Sequence, residues 1–296
     1  MKSRAHVAMA ATGLAQILAL ALTLSGCGSN EASHGAQAEH GAENAHGAED
    51  GHGLGPASAE AASHAPAQAA AHADPSHWSY TNQAAWAQFP AGGSCGNGHE
   101  QSPINLSSAA PVAEVPDLNP RYMNFSGGFV NNGHTLQFTP AANGSVLTIG
   151  QDAYNLAQFH FHAPAEHTLD RRAFPVELHF VHRNGAGQLA VVGVFIEEGA
   201  ENPAVATLLT ALPHGQGDES ATHAEFDPAS LLPADRAYFA YAGSLTTPPC
   251  SEGVRWNVLR TPNQASPAQI NALREALGSS SRHVQPINQR TVLLGV

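Results

Sequence analysis

Short stretches of alternating apolar and polar residues run through the chain from about residue 129 onward. Successive side chains of a strand point to opposite faces, so this alternation predicts strands with one face buried. The clearest stretches are FVNNGHTLQF (129–138), SVLTIG (145–150), AQFHFHA (157–163) and VELHFVH (176–182). The last continues through RNGAG into QLAVVGVFIEE, which predicts a hairpin with Asn184 and Gly185 in its turn.

Helical signals are few and short. ENPAVATLLTAL (201–212) has apolar residues at helical spacing after an Asn-Pro start. SPAQINALREAL (266–277) places Ser266 at the N-cap and Pro267 at the first helical position, where proline needs no N–H. We therefore expect residues 76–296 to form one mainly β (α+β) domain with small peripheral helices.

The first 26 residues have the features of a secretory leader. Lys2 and Arg4 give a positively charged start, and an apolar stretch follows from Val7 to Leu24. A transmembrane helix is the alternative, but it needs about 20 predominantly apolar residues, and threonine, glycine and glutamine interrupt this stretch. We interpret residues 1–26 as a signal peptide that directs export.

The leader ends in Leu24-Ser25-Gly26-Cys27, which resembles the lipobox of bacterial lipoproteins. There the cysteine thiol is diacylated and the cysteine becomes the mature N-terminus. Acyl chains hold a protein stably at a bilayer, since each buried methylene contributes about 0.8 kcal/mol. The resemblance implies a lipid-anchored protein of the periplasm or cell envelope. Gly28, where some lipoproteins carry Asp, implies the outer membrane.

The segment 27–75 differs in composition from the rest of the chain. After Cys27 it holds 16 Ala and 6 His, no aromatic residue and one large aliphatic residue, Leu54. It cannot form a core, so we expect a disordered tether. A histidine recurs at every sixth position: His34, His40, His46 and His52. The repeat is either a weak site for Zn²⁺ or a solvated spacer, and the sequence leaves both readings open.

The composition excludes one class of function and favours another. Charged residues make up 12% of the chain and the formal net charge is −12, which becomes −14 once Lys2 and Arg4 leave with the leader. Nothing in such a chain would neutralise phosphates, so we expect no nucleic-acid partner. The 18 histidines instead indicate metal or proton chemistry.

Two cysteines remain once Cys27 is assigned to lipid. Cys95 and Cys250 are then an even pair in an oxidising compartment, which favours a disulfide across a very long loop. Two free buried thiols are the alternative.

Three histidines on two predicted strands form a candidate metal site. His160 and His162 share one face of AQFHFHA, but such a pair alone is a weak signal. His179 lies on VELHFVH, and if the two strands are neighbours the three imidazoles converge. Three neutral nitrogens plus one water are the open tetrahedral arrangement of catalytic Zn²⁺, whereas a structural site has four protein ligands.

A polar residue stands two positions before a histidine on each strand. Gln158 precedes His160 and Glu177 precedes His179, in each case on the same face. A metal-bound imidazole usually donates its other N–H to an oxygen, so we expect Gln158 and Glu177 to orient these ligands. The alternative is two ordinary polar strand residues.

Beyond these residues, the chain resembles the α-class carbonic anhydrases, in particular their exported bacterial members. Seven motifs carry the resemblance, in order: HWSY (77–80), CGNGHEQSPINL (95–106), NNGHTLQF (131–138), QFHFHAPAEHTL (158–169), ELHFVH (177–182), YAGSLTTPPCSEGVRW (241–256) and QPINQR (285–290). None is decisive alone, but seven in this order make a chance match implausible. The resemblance implies a single domain built on a large twisted, mostly antiparallel central sheet.

The resemblance also implies a zinc enzyme for the reversible hydration of CO₂ to bicarbonate and a proton. His160, His162 and His179 would bind Zn²⁺. Thr246 would accept a hydrogen bond from zinc-bound hydroxide and pass its own proton to Glu166, and His134 would act as proton shuttle. The apolar pocket for CO₂, with Thr247 beside it, would be formed by Val181, Val191, Leu245, Val254 and Trp256. Cys95 and Cys250 match the disulfide of exported members, and a homodimer is a further expectation from the resemblance.

Three positions depart from the family's pattern. Ala165 stands where Ser is usual, His283 replaces a usual Pro, and Ala163 stands where animal members carry Trp. None of them is a ligand. A second hypothesis from another class is a zinc-buffering or scavenging lipoprotein on an inactive anhydrase scaffold, but it would not need Thr246 and Glu166.

Overall fold

The computed structural model describes residues 78–88, 93–141, 144–213, 215 and 217–296. The predicted leader, the tether and the lipidated Cys27 lie outside these residues and stay predictions. No helix in the described part of the chain is both long and apolar enough to cross a membrane.

Strands dominate the described residues. They are β1 (Asn105–Leu106), β2 (Leu118–Arg121), β3 (Phe125–Asn131), β4 (Leu136–Pro140), β5 (Val146–Ile149), β6 (Asp152–His162), β7 (Thr168–Leu169), β8 (Val176–Arg183), β9 (Leu189–Glu198), β10 (Glu219–Phe226), β11 (Tyr238–Ser244), β12 (Glu252–Leu259), β13 (Asn263–Ala265) and β14 (Leu293–Gly295). The helices are α1 (Gly93–Asn97), α2 (Pro203–Leu209), α3 (Pro267–Leu277) and two 3₁₀ helices, Tyr80–Gln88 and Pro228–Leu231. The predicted mainly β architecture is confirmed.

The two predicted helices begin where the sequence indicated, and Ser266 is the predicted N-cap of the second. The Asn202 side chain accepts hydrogen bonds from the first backbone N–H groups of α2. Ser266 caps α3 in a capping box with Gln269, in which each side chain satisfies the other's backbone N–H. Both helices have proline in the first turn, as the sequence indicated.

Twelve strands of the described chain form one sheet. Its main path runs β10-β3-β4-β6-β8-β9-β12-β11-β14, while β5 pairs with β6, β2 with β5, and β13 with β9. The pairings of β9 with β12 and β13 are parallel, and the others within this sheet are antiparallel. β1 and β7 form a separate parallel pair. The predicted mostly antiparallel sheet is confirmed, and β6, β8 and β9 lie at its middle.

A row of phenylalanines crosses one face of the sheet. Phe138 on β4 lies opposite Phe159 on β6, which lies opposite Phe180 on β8. All three are fully buried, and α2 and α3 pack against the same core. Burying each ring contributes about 1.5–3 kcal/mol, so this face fixes which side of β6 and β8 is left for polar residues.

The predicted hairpin forms from β8 and β9. Asn184 opens its loop, whose ends are closed by hydrogen bonds from Asn184 N–H to the Gln188 carbonyl and from Gly187 N–H to the Asn184 carbonyl, both 3.0 Å. Gly187, and not Gly185, takes the positive φ of 83° that favours glycine. The hairpin sets β8 and β9 in register along their whole length.

Cys95 and Cys250 form the expected disulfide. Their Cα atoms lie 5.0 Å apart although 155 residues separate them in sequence. Cys250 is fully buried, and its N–H donates to the Thr247 carbonyl at 2.8 Å. The bond therefore ties the segment near α1 to the loop between β11 and β12.

Replacing both cysteines by alanine should destabilise the domain by about 2–5 kcal/mol, because the closed loop restricts the unfolded chain. Urea unfolding of the oxidised wild type and of the double variant measures the difference. An unchanged midpoint, or equal masses of the wild type before and after reduction, would contradict the bond.

Candidate metal centre

The pairing of β6 with β8 brings the three predicted histidines together. His160 lies directly opposite His179, and His162 lies opposite Glu177. Directly opposite residues share a face, as do residues two apart, so the imidazoles all stand on the side away from the phenylalanine row. Their ring centroids are 4.7 to 5.3 Å apart. One nitrogen from each ring lies within 4.8 Å of the other two, close enough for one ion.

Each of the three rings uses its outer nitrogen as a hydrogen-bond donor to an oxygen. The pairs are His160 Nδ1 with Gln158 Oε1 (2.8 Å), His162 Nδ1 with the Ser280 carbonyl (2.5 Å) and His179 Nε2 with Glu177 Oε1 (2.9 Å). These acceptors fix the tautomer of each neutral ring, which leaves Nε2, Nε2 and Nδ1 unprotonated at the centre. Gln158 and Glu177 thus contact the rings that the sequence predicted.

Burial keeps the three imidazoles neutral. It lowers the pKa of His162 to about 4, and it lowers the pKa of His160 and His179 as well. His162 Nε2 is buried with no hydrogen-bond partner among the described residues. A buried ring nitrogen without a hydrogen-bond partner destabilises the folded protein by about 1–3 kcal/mol unless another group binds it. Three neutral ring nitrogens are a donor set that suits Zn²⁺, so the residues present fit this ion.

Glu177 is a fully buried carboxylate that satisfies several donors at once. Its Oε1 accepts from His179 and from His167 Nδ1 (2.7 Å), and its Oε2 accepts the backbone N–H groups of Glu166 and His167, both at 2.8 Å. Burial opposes ionisation, but His167 and His179 outweigh it and hold the pKa of Glu177 well below its usual range. His167, Glu177 and His179 also lie close enough to share an ion, but these hydrogen bonds already occupy their facing atoms.

A chain of buried hydrogen bonds continues from this carboxylate to the loop 245–251. His167 Nε2 lies 2.6 Å from the Tyr241 hydroxyl, which lies 2.9 Å from Ser102 Oγ. Ser102 and Ser244 bond reciprocally, each backbone N–H donating to the other hydroxyl. One connected network therefore links the orientation of the His179 ring to the position of the loop that begins after Ser244.

Glu166 and Thr246 stand beside the three histidines. Glu166 Oε2 lies 3.6 Å from His162 Nε2 and 4.0 Å from His179 Nδ1. Its Oε1 accepts the Arg282 backbone N–H at 2.8 Å. Burial raises the pKa of Glu166 to about 7, although His179, the Arg282 N–H and the nearby Thr246 hydroxyl each oppose the rise. Oε2 is buried and makes no well-formed hydrogen bond within the described chain.

A cavity of about 180 Å³ opens above the histidines. The predicted residues on its wall are His134, Gln158, His160, His179, Val181, Val191, Leu245, Thr246, Thr247 and Trp256. Val254 is not among the residues that line this cavity, although it belongs to the same buried cluster as Val191 and Trp256, which do line it.

His134 lies half-buried at the cavity, in the turn between β3 and β4. The Asn132 side chain accepts the backbone N–H groups of His134 and Thr135. The imidazole stacks on Trp78 with 3.6 Å between ring centroids and 13° between planes. Both stacked rings line the cavity.

Several residues that the structure places at the site were not predicted from the sequence. Gln137 lines the cavity and lies opposite His160 on β4, so the alternation of LQF was a usable signal. Trp78 belongs to the HWSY motif, but no role at the site was predicted for it. Ser280 contributes a backbone carbonyl, which no side-chain pattern reveals.

Known proteins are similar to this chain in both sequence and fold. Residues 75–295 match the family model described as eukaryotic-type carbonic anhydrase. A carbonic anhydrase of Pectobacterium atrosepticum is 36% identical over 225 residues, covering 74% of this chain and 91% of the relative. One from Nostoc sp. is 37% identical over 230 residues, covering 73% and 85%.

Among solved structures, the α-carbonic anhydrase of Thermovibrio ammonificans in complex with sulfanilamide is 38% identical, with a TM-score of 0.71. The match covers 73% of this chain and 98% of that one. With the family model spanning the whole described domain and relatives above 30% identity over most of their length, the chain belongs to the α-class carbonic anhydrases, a family of enzymes.

Proposed function

We propose that this enzyme hydrates CO₂ reversibly to bicarbonate and a proton at a Zn²⁺ ion bound by His160, His162 and His179. The observation that carries the proposal is the convergence of three neutral ring nitrogens, one of them buried without a partner. When bound, Zn²⁺ lowers the pKa of a water molecule, to about 7 in carbonic anhydrases as a class. Neutral imidazoles leave the charge of the cation available for this effect, whereas carboxylate ligands would reduce it.

Thr246 and Glu166 orient the nucleophile. Glu166 is close enough to Thr246 for the hydroxyl to favour the ionised carboxylate. With its proton directed at Glu166, the Thr246 oxygen is left as an acceptor toward the cavity. A nucleophile that donates to this oxygen has its lone pair aimed at the carbon of CO₂, which is a positioning contribution.

The wall of the cavity suits CO₂ better than bicarbonate. Val181, Val191, Leu245 and Trp256 give one side an apolar surface next to the histidines. CO₂ has no charge and few hydrogen bonds to lose, so it enters such a surface at little cost. Bicarbonate is charged, and its desolvation there favours release.

His134 moves the proton between the cavity and solvent. Histidine is the side chain whose ordinary pKa lies near neutrality, so it both accepts and releases protons under physiological conditions. Its half-buried position at the cavity supports this role.

A zinc-buffering protein would use the same three ligands. Such a protein needs no cavity beside the metal and no Glu166–Thr246 pair. Both are present around the histidines, which favours catalysis over storage.

The purified wild type should accelerate CO₂ hydration in a stopped-flow assay, and a sulfonamide should suppress the rate. His160→Ala should lose zinc, measured by elemental analysis, and nearly all activity, because two imidazoles hold the ion too weakly. The matched control is His99→Ala, since His99 is exposed and outside the cavity; it should keep both zinc and rate. A wild type that holds one zinc per chain without accelerating hydration would support the buffering function instead.

His134→Ala should keep zinc and lose turnover by roughly 10- to 100-fold, the low end of what a positioned general acid–base group contributes. Imidazole in the buffer should restore part of the rate, since it supplies the missing acceptor. A slow variant that imidazole does not rescue would remove the shuttle role.

We also propose that the enzyme is an exported lipoprotein anchored through Cys27 to the outer membrane. The Leu24-Ser25-Gly26-Cys27 sequence supports this, and a tether over residues 27–75 would span roughly 40 Å as a flexible chain. Cys27→Ser should abolish incorporation of labelled fatty acid and release the protein from the membrane fraction. If the wild type takes up no label, the anchor is wrong.

A further inference from the structure

The backbone groups of residues 280–283 alternate in their hydrogen-bond partners, as in an extended chain, and those of Ser280 and Arg282 face His162 and Glu166. The Ser280 carbonyl accepts from His162 Nδ1, and the Arg282 N–H donates to Glu166 Oε1 at 2.8 Å. The backbone groups of this one segment therefore orient both a predicted zinc ligand and the carboxylate beside it.

The opposite edge of the same segment is held by a side chain. Gln83 Nε2 donates to the Ser281 carbonyl at 2.9 Å, and Gln83 Oε1 accepts the His283 N–H at 2.8 Å. In an extended chain the carbonyl of one residue and the N–H two residues later point to the same edge. The carboxamide of Gln83 thus occupies the place that a neighbouring strand would take.

The second of these bonds depends on a departure from the family's pattern. Position 283 carries His where the resemblance leads one to expect Pro, and proline has no N–H to donate. His283 therefore supplies the donor that completes the pair of bonds to Gln83. The exposed His283 side chain makes no contribution to this pairing.

The segment that carries Gln83 is itself firmly held. Trp86, one turn further along, is 1% exposed, and its indole N–H donates to the Ser79 carbonyl at 2.9 Å. The Arg282 guanidinium lies 5.6 Å from the centre of the Trp86 ring and donates to the Ser102 carbonyl at 2.7 Å. Because Gln83 lies in this well-packed segment, its side chain holds residues 281–283 in a fixed position.

We propose that Gln83 is a positioning residue of the metal centre, acting through its paired hydrogen bonds to Ser281 and His283. By holding the outer edge of the segment, it fixes the Ser280 carbonyl against His162 and the Arg282 N–H against Glu166. The proposal rests on the proposed zinc site, but its test measures the metal and not the turnover of CO₂.

The test uses Gln83→Ala, which removes both bonds to the segment and a local bond to the Tyr80 carbonyl, and His283→Pro, which removes the backbone N–H together with the exposed imidazole and fixes φ at this position. Gln88→Ala is the matched control, because Gln88 is an exposed glutamine of the same 3₁₀ helix. Two quantities are measured on the full-length protein: the rate of zinc release to a chromogenic chelator, and the visible spectrum of the cobalt(II)-substituted protein. Thermal unfolding is recorded separately, so that lost stability is not mistaken for altered ligand geometry.

Gln83→Ala should release zinc up to about tenfold faster and should change the cobalt spectrum. A tenfold change is about the low end of the effect of losing a group that hydrogen-bonds a metal ligand directly, and Gln83 acts only through the segment 281–283. His283→Pro should change both in the same direction in the wild type, but should add little in the Gln83→Ala background, since the bond is already absent there. Gln88→Ala should match the wild type.

The proposal is overturned if folded Gln83→Ala keeps the wild-type release rate and cobalt spectrum, or if His283→Pro has the same effect in both backgrounds. His283→Pro alone decides the matter should Gln83→Ala fail to fold. A wild type that holds zinc but does not hydrate CO₂ would contradict the proposed reaction and leave this comparison intact. A wild type that binds no zinc would overturn both.

Discussion

The register between β6 and β8 is the constraint on which the site depends. It sets His160 opposite His179 and His162 opposite Glu177, and it sets Phe159 opposite Phe180 on the other face. Because the side-chain period of a strand is two, a slip of one residue would turn the histidines into the core and the phenyl rings into the cavity. The buried phenylalanine row makes such a slip costly. The apolar face therefore selects the register, and the register assembles the metal centre.

Convergence alone does not fix an imidazole, since each ring can still rotate and exchange tautomers. The acceptors that prevent this come from three parts of the chain: the side chain of Gln158, the side chain of Glu177 and the backbone of Ser280. Glu177 is held in turn by His167 and two backbone N–H groups, and the segment around Ser280 is held by Gln83. The precision of the site therefore depends on groups that lie far apart in sequence; Gln158 also lines the cavity, whereas Glu177 and Ser280 do not.

How much of this could be read from the sequence follows from the same geometry. Local periodicity was enough to place His160, His162 and Gln158 on one face, and the Asn-Pro start of α2 and the Ser266 cap of α3 were visible from residue type. The partnership of β6 with β8 was only conditional, because periodicity shows which way a side chain points and not which strand lies beside it. Neither the role of the Ser280 carbonyl as an acceptor for His162 nor the hydrogen bonds of Gln83 to Ser281 and His283 could be predicted from the sequence. A backbone group has no signature in the sequence, and nothing local to Gln83 indicates a partner two hundred positions away. Val254 was expected at the pocket from the family resemblance alone, and its place there stays a prediction.

The two buried carboxylates of the site differ in their pKa: Glu177 is held as an anion, whereas the pKa of Glu166 lies near neutrality. Glu177 accepts four N–H groups, and against the effect of burial His167 and His179 hold its pKa well below the usual range. Glu166 accepts one backbone N–H, and burial raises its pKa to about 7. A cation bound by the neighbouring imidazoles would favour the ionised form of Glu166, since opposite charges a few ångströms apart lower the pKa of a carboxyl group. An ionised Glu166 can only accept a hydrogen bond, and Thr246 is then obliged to donate to it. In the proposed zinc enzyme the direction of the Thr246 hydroxyl would therefore depend on the charge at the three histidines, so that binding of the cation would also orient this residue of the loop after β11.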